Sequence, residues 1–318
     1  MHSCARVCSD ERVGPEELTE LVAIARRHYV DGVSRVDIGN ERGLSRFKVG
    51  RILQAAREAG IVRIEVRAPA GIDYELSEEL RLRYGLRRAL AVQAADETRV
   101  RGPLGQVAGE LLREVVTGDD VLGIDCGRTL REMTGHLGGI AGCDVVQITG
   151  MGGALGDTAT DITRVVSEAS GGRVFSLFAP IVVADSRTAE AMRSHRAFRS
   201  TFAAYARVTK AVVAIGAWSH ELSQIPALIG DEETARFAAS GVVGETGALL
   251  LDAEGRRVLG LDARRVAISE AQLRAVPDVI GVGGGRGKTT AVHAILTSGL
   301  LNSVVTDVHL ARRLLRRR

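Results

Sequence analysis

The chain has 318 residues, of which 45% are hydrophobic and 25% are charged, so it is long enough for two folded domains with sizeable cores. The formal net charge is only +3, and the overall charge therefore does not indicate a nucleic-acid or membrane partner. Aromatic residues make up 3% of the chain, which argues against a base-stacking surface for single-stranded RNA or DNA.

The first segment, residues 1–15, is polar, ends in Gly14-Pro15 and is predicted to be a flexible tail. It has no apolar stretch typical of a secretion signal, and no apolar run in the chain approaches the ~20 residues that span a bilayer. Cys4 and Cys8 lack the matching His or Cys partners of a zinc site. We therefore expect a cytoplasmic protein with reduced thiols, no membrane contact, no metal and no cofactor.

The next segment, residues 16–70, is predicted to contain three short helices followed by a strand. Apolar residues recur at helical spacing in the first and third helices, and Ser45 is a good N-cap for the third. The stretch IVRIEVR (61–67) alternates apolar and charged residues as a strand does. The apolar stripe predicted for the first helix consists of Leu18, Leu21, Val22 and Ala25.

The third helix of this segment carries basic residues on the side away from its apolar stripe. Residues 42–67 contain seven basic and two acidic side chains, so their net charge is 7 − 2 = +5, against +3 for the whole chain. A short helix, a glycine turn and a second helix with basic first turns are typical of a helix-turn-helix that enters the DNA major groove. The alternative is that these charges form a solvated face and that Phe47 packs on a neighbouring segment.

On the DNA-binding interpretation, arginine and lysine pair with phosphates or guanine edges, and Phe47 packs on a thymine methyl group. The strand IVRIEVR would then be a wing that lies near the sugar-phosphate backbone. The predicted DNA-binding residues are Arg35, Ser45, Arg46, Phe47, Lys48, Arg51 and Arg63.

Residues 71–92 are predicted to be a linker or the first helix of the following unit, which covers residues 93–318. In that unit, apolar runs bounded by glycine alternate with helical stretches, a pattern typical of a mostly parallel sheet that is covered on both faces. We therefore expect an α/β fold, with an N-terminal winged helix-turn-helix and a C-terminal Rossmann-like domain. The predicted strands lie at 121–125, 144–150, 174–184, 211–217, 247–253 and 277–285, and the predicted helices at 99–116, 129–137, 187–208 and 288–299.

Glycine-rich loops follow several of these predicted strands. The loop in GVGGGRGKTTAVHAI (281–295) opens a helix, so its backbone N–H groups and Lys288 would attract an anion. Position 282 is valine where the Walker A pattern requires glycine, so nucleotide hydrolysis is not expected. Ligands bind at the carboxyl ends of strands in open α/β sheets, and we expect a small phosphate-bearing ligand there. A tight turn with a solvated Lys288 is the alternative.

Two further loops, GIDCGRTLREM (123–133) and ITGMGGALG (148–156), also follow predicted strands. Arg128 and Thr129 would offer a guanidinium and a hydroxyl group to an anion or a sugar, and Asp125 would accept sugar hydroxyls. Glu245 would either bind ligand hydroxyls or belong to a solvated turn. The predicted effector-binding residues are Gly123, Asp125, Gly127, Arg128, Thr129, Thr149, Gly150, Gly152, Glu245, Gly284, Gly285 and Lys288.

Over about residues 17–315, the chain resembles the SorC-type sugar-sensing bacterial transcriptional regulators. The resemblance rests on SRFKVGRILQAAREAGIV near the N-terminus and on GIDCGRTL, VVQITGMGG, LFAPIVV, GVVGETGALLLDAEG and VGGGRGKTTAVHAILTSGLLNSVVTD, which occur in the family's order. It implies a winged helix-turn-helix joined to a sugar-phosphate-binding domain that is similar to sugar-phosphate isomerases but lacks catalysis. It also implies that the effector is faced by Gly127, Thr129, Thr149, Gly150, Glu245, Gly284, Gly285 and Lys288.

The chain departs from the family pattern at both predicted sites. Phe47 and Gly50 replace the usual proline and serine, which implies an altered operator preference. Asp125 and Cys126 stand where serine and tryptophan are common, which implies an atypical effector.

Together these patterns predict a DNA-binding repressor of carbohydrate genes that is not an enzyme. Its expected partners are double-stranded operator DNA, a phosphorylated sugar effector and further copies of the same chain, in a dimer or a tetramer. The alternative is a sugar-phosphate isomerase-like enzyme on the same fold, but an enzyme needs a positioned general base. The loops offer Asp125 and Glu245 without a convincing acid–base spacing. A third possibility is a regulator that has lost effector sensing.

Overall fold

The structure, a computed structural model, describes residues 14–63, 71–152 and 159–317. The chain divides into two compact units, Met1–Arg67 and Ala68–Arg318. Within the described residues, no helix combines the length and the apolar composition needed to cross a bilayer.

The first unit is helical, and all three predicted helices are confirmed. The hydroxyls of Ser34 and Ser45 cap the second and third helices by accepting the backbone N–H groups of Asp37 and Lys48, each at 3.2 Å. Gly43 ends the second helix with a left-handed φ of 67°. The helices are α1 (Pro15–Tyr29), α2 (Arg35–Arg42) and α3 (Arg46–Glu58).

The apolar stripe predicted for α1 is wrong at two positions. Leu18 and Val22 are 44% and 47% exposed, whereas Ile24 is fully buried. Both sets of residues have helical spacing, so periodicity alone did not decide which side of α1 faces the other helices. The buried core of this unit consists of Leu21, Ile24, Ala25, Ile38, Val49, Leu53 and Ala56.

The predicted wing strand lies mostly outside the described residues. Ile61 and Val62 pack against the helical core, and Arg63 is exposed at the end of the described segment. The rest of the IVRIEVR strand therefore stays a prediction.

All strands in the described part of the chain lie in the second unit. They are β1 (Ile72–Asp73), β2 (Arg88–Val92), β3 (Val121–Ile124), β4 (Asp144–Gln147), β5 (Val174–Phe175), β6 (Lys210–Ala214), β7 (Gly216–Ala217), β8 (Gly244–Thr246), β9 (Leu249–Leu251), β10 (Asp278–Val282) and β11 (Ser303–Asp307). The helices are α4 (Tyr74–Tyr84), α5 (Arg101–Val115), α6 (Arg128–Met133), α7 (Ala159–Ser170), α8 (Ser186–Ser194), α9 (Arg199–Ala204), α10 (Ile225–Ile229), α11 (Asp231–Ala239), α12 (Glu270–Ala275), α13 (Thr289–Thr297) and α14 (Val308–Arg316).

Eight of the described strands form one sheet in the order β1-β2-β11-β10-β6-β3-β4-β5. β1 is antiparallel to β2, and all other neighbours in this sheet are parallel. β7, β8 and β9 form a small antiparallel sheet. The predicted α/β fold with a mostly parallel sheet is therefore confirmed.

The large sheet is buried on both faces, as its apolar strands require. All five residues of β10 are buried, and alternate side chains belong to different apolar clusters: Val279 to one, Ile280 and Val282 to the other. A Cβ atom on Gly281 would lie 2.2 Å from Cδ1 of Leu301, so any larger residue at this position would force the Leu301 side chain to shift.

Of the two alternatives predicted for residues 71–92, the structure has the helix, α4, and the segment ends in a strand of the large sheet, β2. β2 pairs in parallel with β11 along its whole length, from Arg88 opposite Ser303 to Val92 opposite Asp307. The prediction missed β2 because this strand is short and follows directly on the charged helix α4.

Three other predicted elements differ from the structure. Only Val174–Phe175 of the predicted strand 174–184 pairs as a strand, and the rest is a loop with isolated bridges. The predicted helix 187–208 is broken at His195, where the backbone is extended. The predicted strand 247–253 is β9, which lies in the antiparallel sheet. Apolar content indicated burial correctly in these segments, but it did not specify the backbone conformation.

Candidate functional site

A cavity lies at the carboxyl edge of the large sheet. β10, β6 and β3 are neighbours in the sheet, so the loops that follow them meet at this edge. The cavity has a volume of about 60 Å³. Its polar and charged lining residues are Arg101, Asp125, Cys126, Arg128, Thr129, Ser223, Gln224, Glu245 and Lys288.

Glu245 is one of the two buried acids that line this cavity. Its Oε1 accepts a hydrogen bond from the Ser223 hydroxyl at 2.8 Å, and its Oε2 accepts the N–H of Ala248 at 3.1 Å. Burial, together with the charge of Asp125, raises the pKa of Glu245 to about 7. A Cβ atom on Gly216 would lie 2.1 Å from Oε1 of Glu245, so glycine is required beside this carboxyl group.

Lys288 is the half-buried cation of the cavity, and it occupies the N-cap position of α13. Its Nζ donates a hydrogen bond to the carbonyl of Ile215 at 2.6 Å. Burial lowers the pKa of Lys288 to about 8, although the nearby Glu245 opposes this shift. A cation at a helix N-terminus attracts anions, because the helix dipole adds to its charge.

Asp125 lines the cavity, but both of its carboxylate oxygens already accept hydrogen bonds from the protein. Oδ1 accepts the N–H of Cys126 and the hydroxyl of Thr149, each at 2.7 Å. Oδ2 accepts the N–H of Ala214 at 3.1 Å. Burial raises the pKa of Asp125. The carboxylate therefore connects the ends of β3, β4 and β6, and Thr149 is turned towards it.

The first part of the glycine loop after β10 contacts a carboxylate of the chain itself. The N–H of Gly285 donates to Oδ2 of Asp307 at 2.6 Å, and a Cβ atom on Gly284 would lie 2.5 Å from the same oxygen. The Asp307 side chain also caps α14. In this structure the N–H of Gly285 is therefore occupied, and the loop reaches the cavity through Lys288.

The predicted effector-binding residues divide into two groups. Those that line the cavity are Asp125, Gly127, Arg128, Thr129, Glu245 and Lys288. Gly123 lies against the side chain of Ile148, and Gly150 lies against the backbone of Ile181. Gly152 lies against the side-chain amide of Gln224. The remaining three, Thr149, Gly284 and Gly285, contact the carboxylates described above.

Sequence reasoning missed Arg101, Ser223 and Gln224. Ser223 and Gln224 belong to the polar segment WSHELSQ (218–224), which directly follows the predicted strand 211–217. The position of this segment directly after a predicted strand was the signal that could have identified it. It was missed because, unlike the other loops, it contains no glycine. The guanidinium of Arg128 donates to the carbonyl of Glu221, which fixes this segment beside the cavity. Arg101 opens α5, and we find no sequence signal that would have selected it.

A second candidate site is an open basic groove on the first unit. The Arg46 guanidinium lies 4.7 Å from the ring centroid of Phe47, and Phe47 is 70% exposed. We call the whole groove the α3 basic face. Its lining residues are Arg35, Val36, Arg46, Phe47, Gly50, Arg51, Leu53, Gln54 and Arg57.

Four of the predicted DNA-binding residues line the α3 basic face: Arg35, Arg46, Phe47 and Arg51. The structure gives the other three different positions. The Ser45 hydroxyl caps α3, Lys48 is exposed outside the groove lining, and Arg63 is exposed beyond α3.

The basic face also extends one helical turn further than predicted. Arg57 donates to Oε1 of Gln54 at 2.7 Å, and both side chains line the groove. Gln54 was predicted on this side of α3, and the helical spacing of Arg57 from Gly50 was the signal that could have identified Arg57.

Comparison with known proteins gives matches along nearly the whole chain. The family model described as "Putative sugar-binding domain" matches residues 69–316. The transcriptional regulator LsrR of Klebsiella pneumoniae subsp. pneumoniae is 30% identical over 302 residues, which are 93% of each chain. This relative and the other LsrR proteins that match are transcriptional regulators and not enzymes.

Solved structures of other regulators share the fold, and two of them illustrate this. The full-length sorbitol operon regulator SorC from Klebsiella pneumoniae aligns with a TM-score of 0.73 at 21% identity, over 95% of this chain and 100% of that chain. A domain of a possible sugar-binding transcriptional regulator from Arthrobacter aurescens TC1 aligns with a TM-score of 0.70 at 26% identity, over 78% of this chain and 100% of that chain.

Proposed function

The chain belongs to the SorC/LsrR family of sugar-binding transcriptional regulators, and we propose that a phosphorylated sugar in its cavity controls its binding to operator DNA. The observation that carries the proposal is the placement of Lys288 and Glu245 in one cavity. A cation at a helix N-terminus suits a phosphate group, and a buried carboxylate suits sugar hydroxyls.

The charge distribution of the cavity supports a phosphate-bearing ligand over a neutral sugar. Arg101, Arg128 and Lys288 contribute three basic side chains to the lining. The acids are Asp125, whose oxygens are already engaged, and Glu245. We expect the phosphate to lie near Lys288 and the sugar hydroxyls near Glu245.

The α3 basic face supports binding to double-stranded DNA. Arg35, Arg46, Arg51 and Arg57 line one open groove on a helix that follows a short helix and a glycine turn. The second helix of such a pair enters the major groove, and arginine there pairs with guanine edges or phosphates. We propose that the predicted residues Ser45, Lys48 and Arg63 contact the DNA backbone at the margin of this face.

We further propose that the regulator is a cytoplasmic repressor of carbohydrate genes and that it acts as a dimer or a tetramer. Symmetric oligomers bind operators that have two matched half-sites, and a single helix-turn-helix can occupy only one of them. Light scattering of the purified chain tests the assembly, because a particle larger than the 33.8 kDa monomer is expected.

The proposed function is tested by binding of the purified protein to DNA from upstream of its own gene, at fixed salt, with and without a panel of sugar phosphates. We expect sequence-specific binding that one compound changes. Absence of specific binding under every condition would contradict the DNA-binding role. Operator binding that no sugar phosphate changes would indicate a regulator without effector sensing. Turnover of any sugar phosphate in the panel would instead support an isomerase-like enzyme.

A further inference from the structure

The side chain of Gln224 has an unusual position in the cavity. Gln224 lies in the loop between β7 and α10, and it is one of the residues that line the cavity. Its Oε1 is buried, yet it has no hydrogen-bond partner in the part of the chain that the structure describes. Buried polar atoms are nearly always paired, so an unpaired acceptor on a residue that lines a cavity requires an explanation.

The surroundings hold this amide in place. A Cβ atom added to Gly152 would lie 2.6 Å from Oε1 of Gln224 and 3.5 Å from Sγ of Cys126. The preceding residue, Ser223, is fixed because its hydroxyl donates to Glu245 at 2.8 Å and accepts the N–H of Ile225 at 3.1 Å. The Gln224 amide oxygen therefore lies beside Gly152, on a residue that lines the cavity.

A ligand hydroxyl that donates a hydrogen bond to Oε1 of Gln224 would remove the energetic cost of leaving this acceptor unpaired. A site that is built to hydrogen-bond a hydroxyl group rejects the analogue without that group, because its own polar atom is then left unpaired. We propose that Gln224 is the specificity-determining residue of the cavity and accepts a hydrogen bond from one hydroxyl of the phosphorylated sugar. This inference rests on the proposed function, since it assigns the selectivity of the same cavity.

The test is calorimetric binding of the full chain to ribose 5-phosphate, glucose 6-phosphate and fructose 6-phosphate, each compared with its monodeoxy analogues. For the wild type, we expect one deoxy analogue to bind at least about tenfold more weakly than its parent sugar phosphate. The Gln224→Met variant keeps the length of the side chain without the carbonyl acceptor. In this variant, the parent and that analogue should bind with affinities within about twofold of each other.

A second variant displaces the amide without changing Gln224. Gly152→Ala places a methyl group against the end of a flexible side chain, so the protein should fold while the amide is pushed away. We expect this variant to lose the same discrimination as Gln224→Met. The double variant should lose no more than either single variant, since both act on one contact. Gly138→Ala is the control, because a Cβ atom there meets nothing within 4 Å.

The thermal stability of the ligand-free protein separates a specificity role from a structural one. Because Oε1 is unpaired without ligand, Gln224→Met should leave the melting temperature unchanged or raise it. A variant that melts lower and binds every compound proportionally more weakly would overturn the inference. The inference also fails if Gln224→Met keeps the wild-type ratio between parent and analogue. If the folded wild type binds no sugar phosphate, the proposed function itself fails, and the inference fails with it.

Discussion

At the scale of single residues, burial shifts the pKa values of two charged residues of the cavity, Glu245 and Lys288, in opposite directions. It raises the pKa of Glu245 to about 7 and lowers the pKa of Lys288 to about 8. Each shift reflects the cost of a charge in a site with little water, and each group partly offsets that cost for the other. A phosphate group beside Lys288 would stabilise its protonated form.

The pKa of Lys288 predicts the pH dependence of effector binding. As the pH rises from 8 to 9.5, free Lys288 loses its proton, while Glu245 and the ligand phosphate are already ionised. Affinity for a sugar phosphate should therefore fall by about tenfold over this range. In Lys288→Arg the cation stays charged, so the affinity should stay nearly constant. Calorimetry at several pH values measures the affinity of the wild type and of Lys288→Arg. An equal decline in both proteins would contradict the role of Lys288 in the pH dependence.

Arg51 gives a test of the α3 basic face. If Arg51 pairs with a base edge, Arg51→Ala should weaken operator binding by about 1–3 kcal/mol and relax sequence preference. Lys48→Ala is the matched control, since Lys48 lies on the same helix but outside the groove lining. The loss of affinity in Lys48→Ala should be smaller than in Arg51→Ala, and it should be equal for operator and random DNA. Fluorescence anisotropy at fixed salt measures both variants, and equal effects would contradict the proposed role of the face.

At the scale of elements, the turn between α2 and α3 sets the orientation of the basic face. The N–H of Leu44 donates to the carbonyl of Gly39 at 2.8 Å, so the chain returns closely over α2. A Cβ atom on Gly39 would lie 2.5 Å from the Leu44 carbonyl oxygen, which is backbone and has little freedom to move. Glycine at this position is therefore a steric requirement of the helix-turn-helix.

Gly39→Ala should consequently lower the melting temperature of the first unit and abolish operator binding. Binding of sugar phosphates should be retained, because the cavity is formed by residues of the second unit. Gly14→Ala is the control, since a Cβ atom on Gly14 meets nothing within 4 Å. Calorimetric melting and ligand binding on one preparation provide the comparison. An operator affinity that matches the wild type would show that the turn tolerates a side chain.

The elements also show what the sequence predicts and what it leaves undetermined. The Ser45 N-cap and the glycine turn between the helices predicted α2 and α3 correctly, because these signals act within a few residues. The strand β2 was missed, since only its pairing with β11 makes RALAV a strand. For α1, the buried side was undetermined because Leu18 and Ile24 both fit a helical stripe.

At the scale of the whole molecule, the cavity is assembled from distant parts of the chain. Glycine loops located Lys288 and Glu245, because glycine at strand ends is a local signal. Arg101 was not predicted, since only the order of strands in the sheet brings its segment to this edge. Gln224 was missed although its segment follows a predicted strand. The same topology places the carboxylate of Asp307 beside the loop that contains Gly284 and Gly285. The spacing of these residues along the sequence did not predict this contact.

The proposed regulation requires that the sugar-phosphate cavity and the α3 basic face act on one equilibrium. Binding at one site must then change binding at the other by the same factor, since such coupling is reciprocal. The measurement is operator affinity of the full chain with and without a saturating sugar phosphate, for the wild type and for Lys288→Ala.

We predict a change in operator affinity of at least about fivefold for the wild type, because typical coupling free energies are about 1–3 kcal/mol. Lys288→Ala should bind the operator normally and show no response at the same ligand concentration. An operator affinity that stays constant while the ligand demonstrably occupies the wild-type protein would contradict the coupling between the two sites.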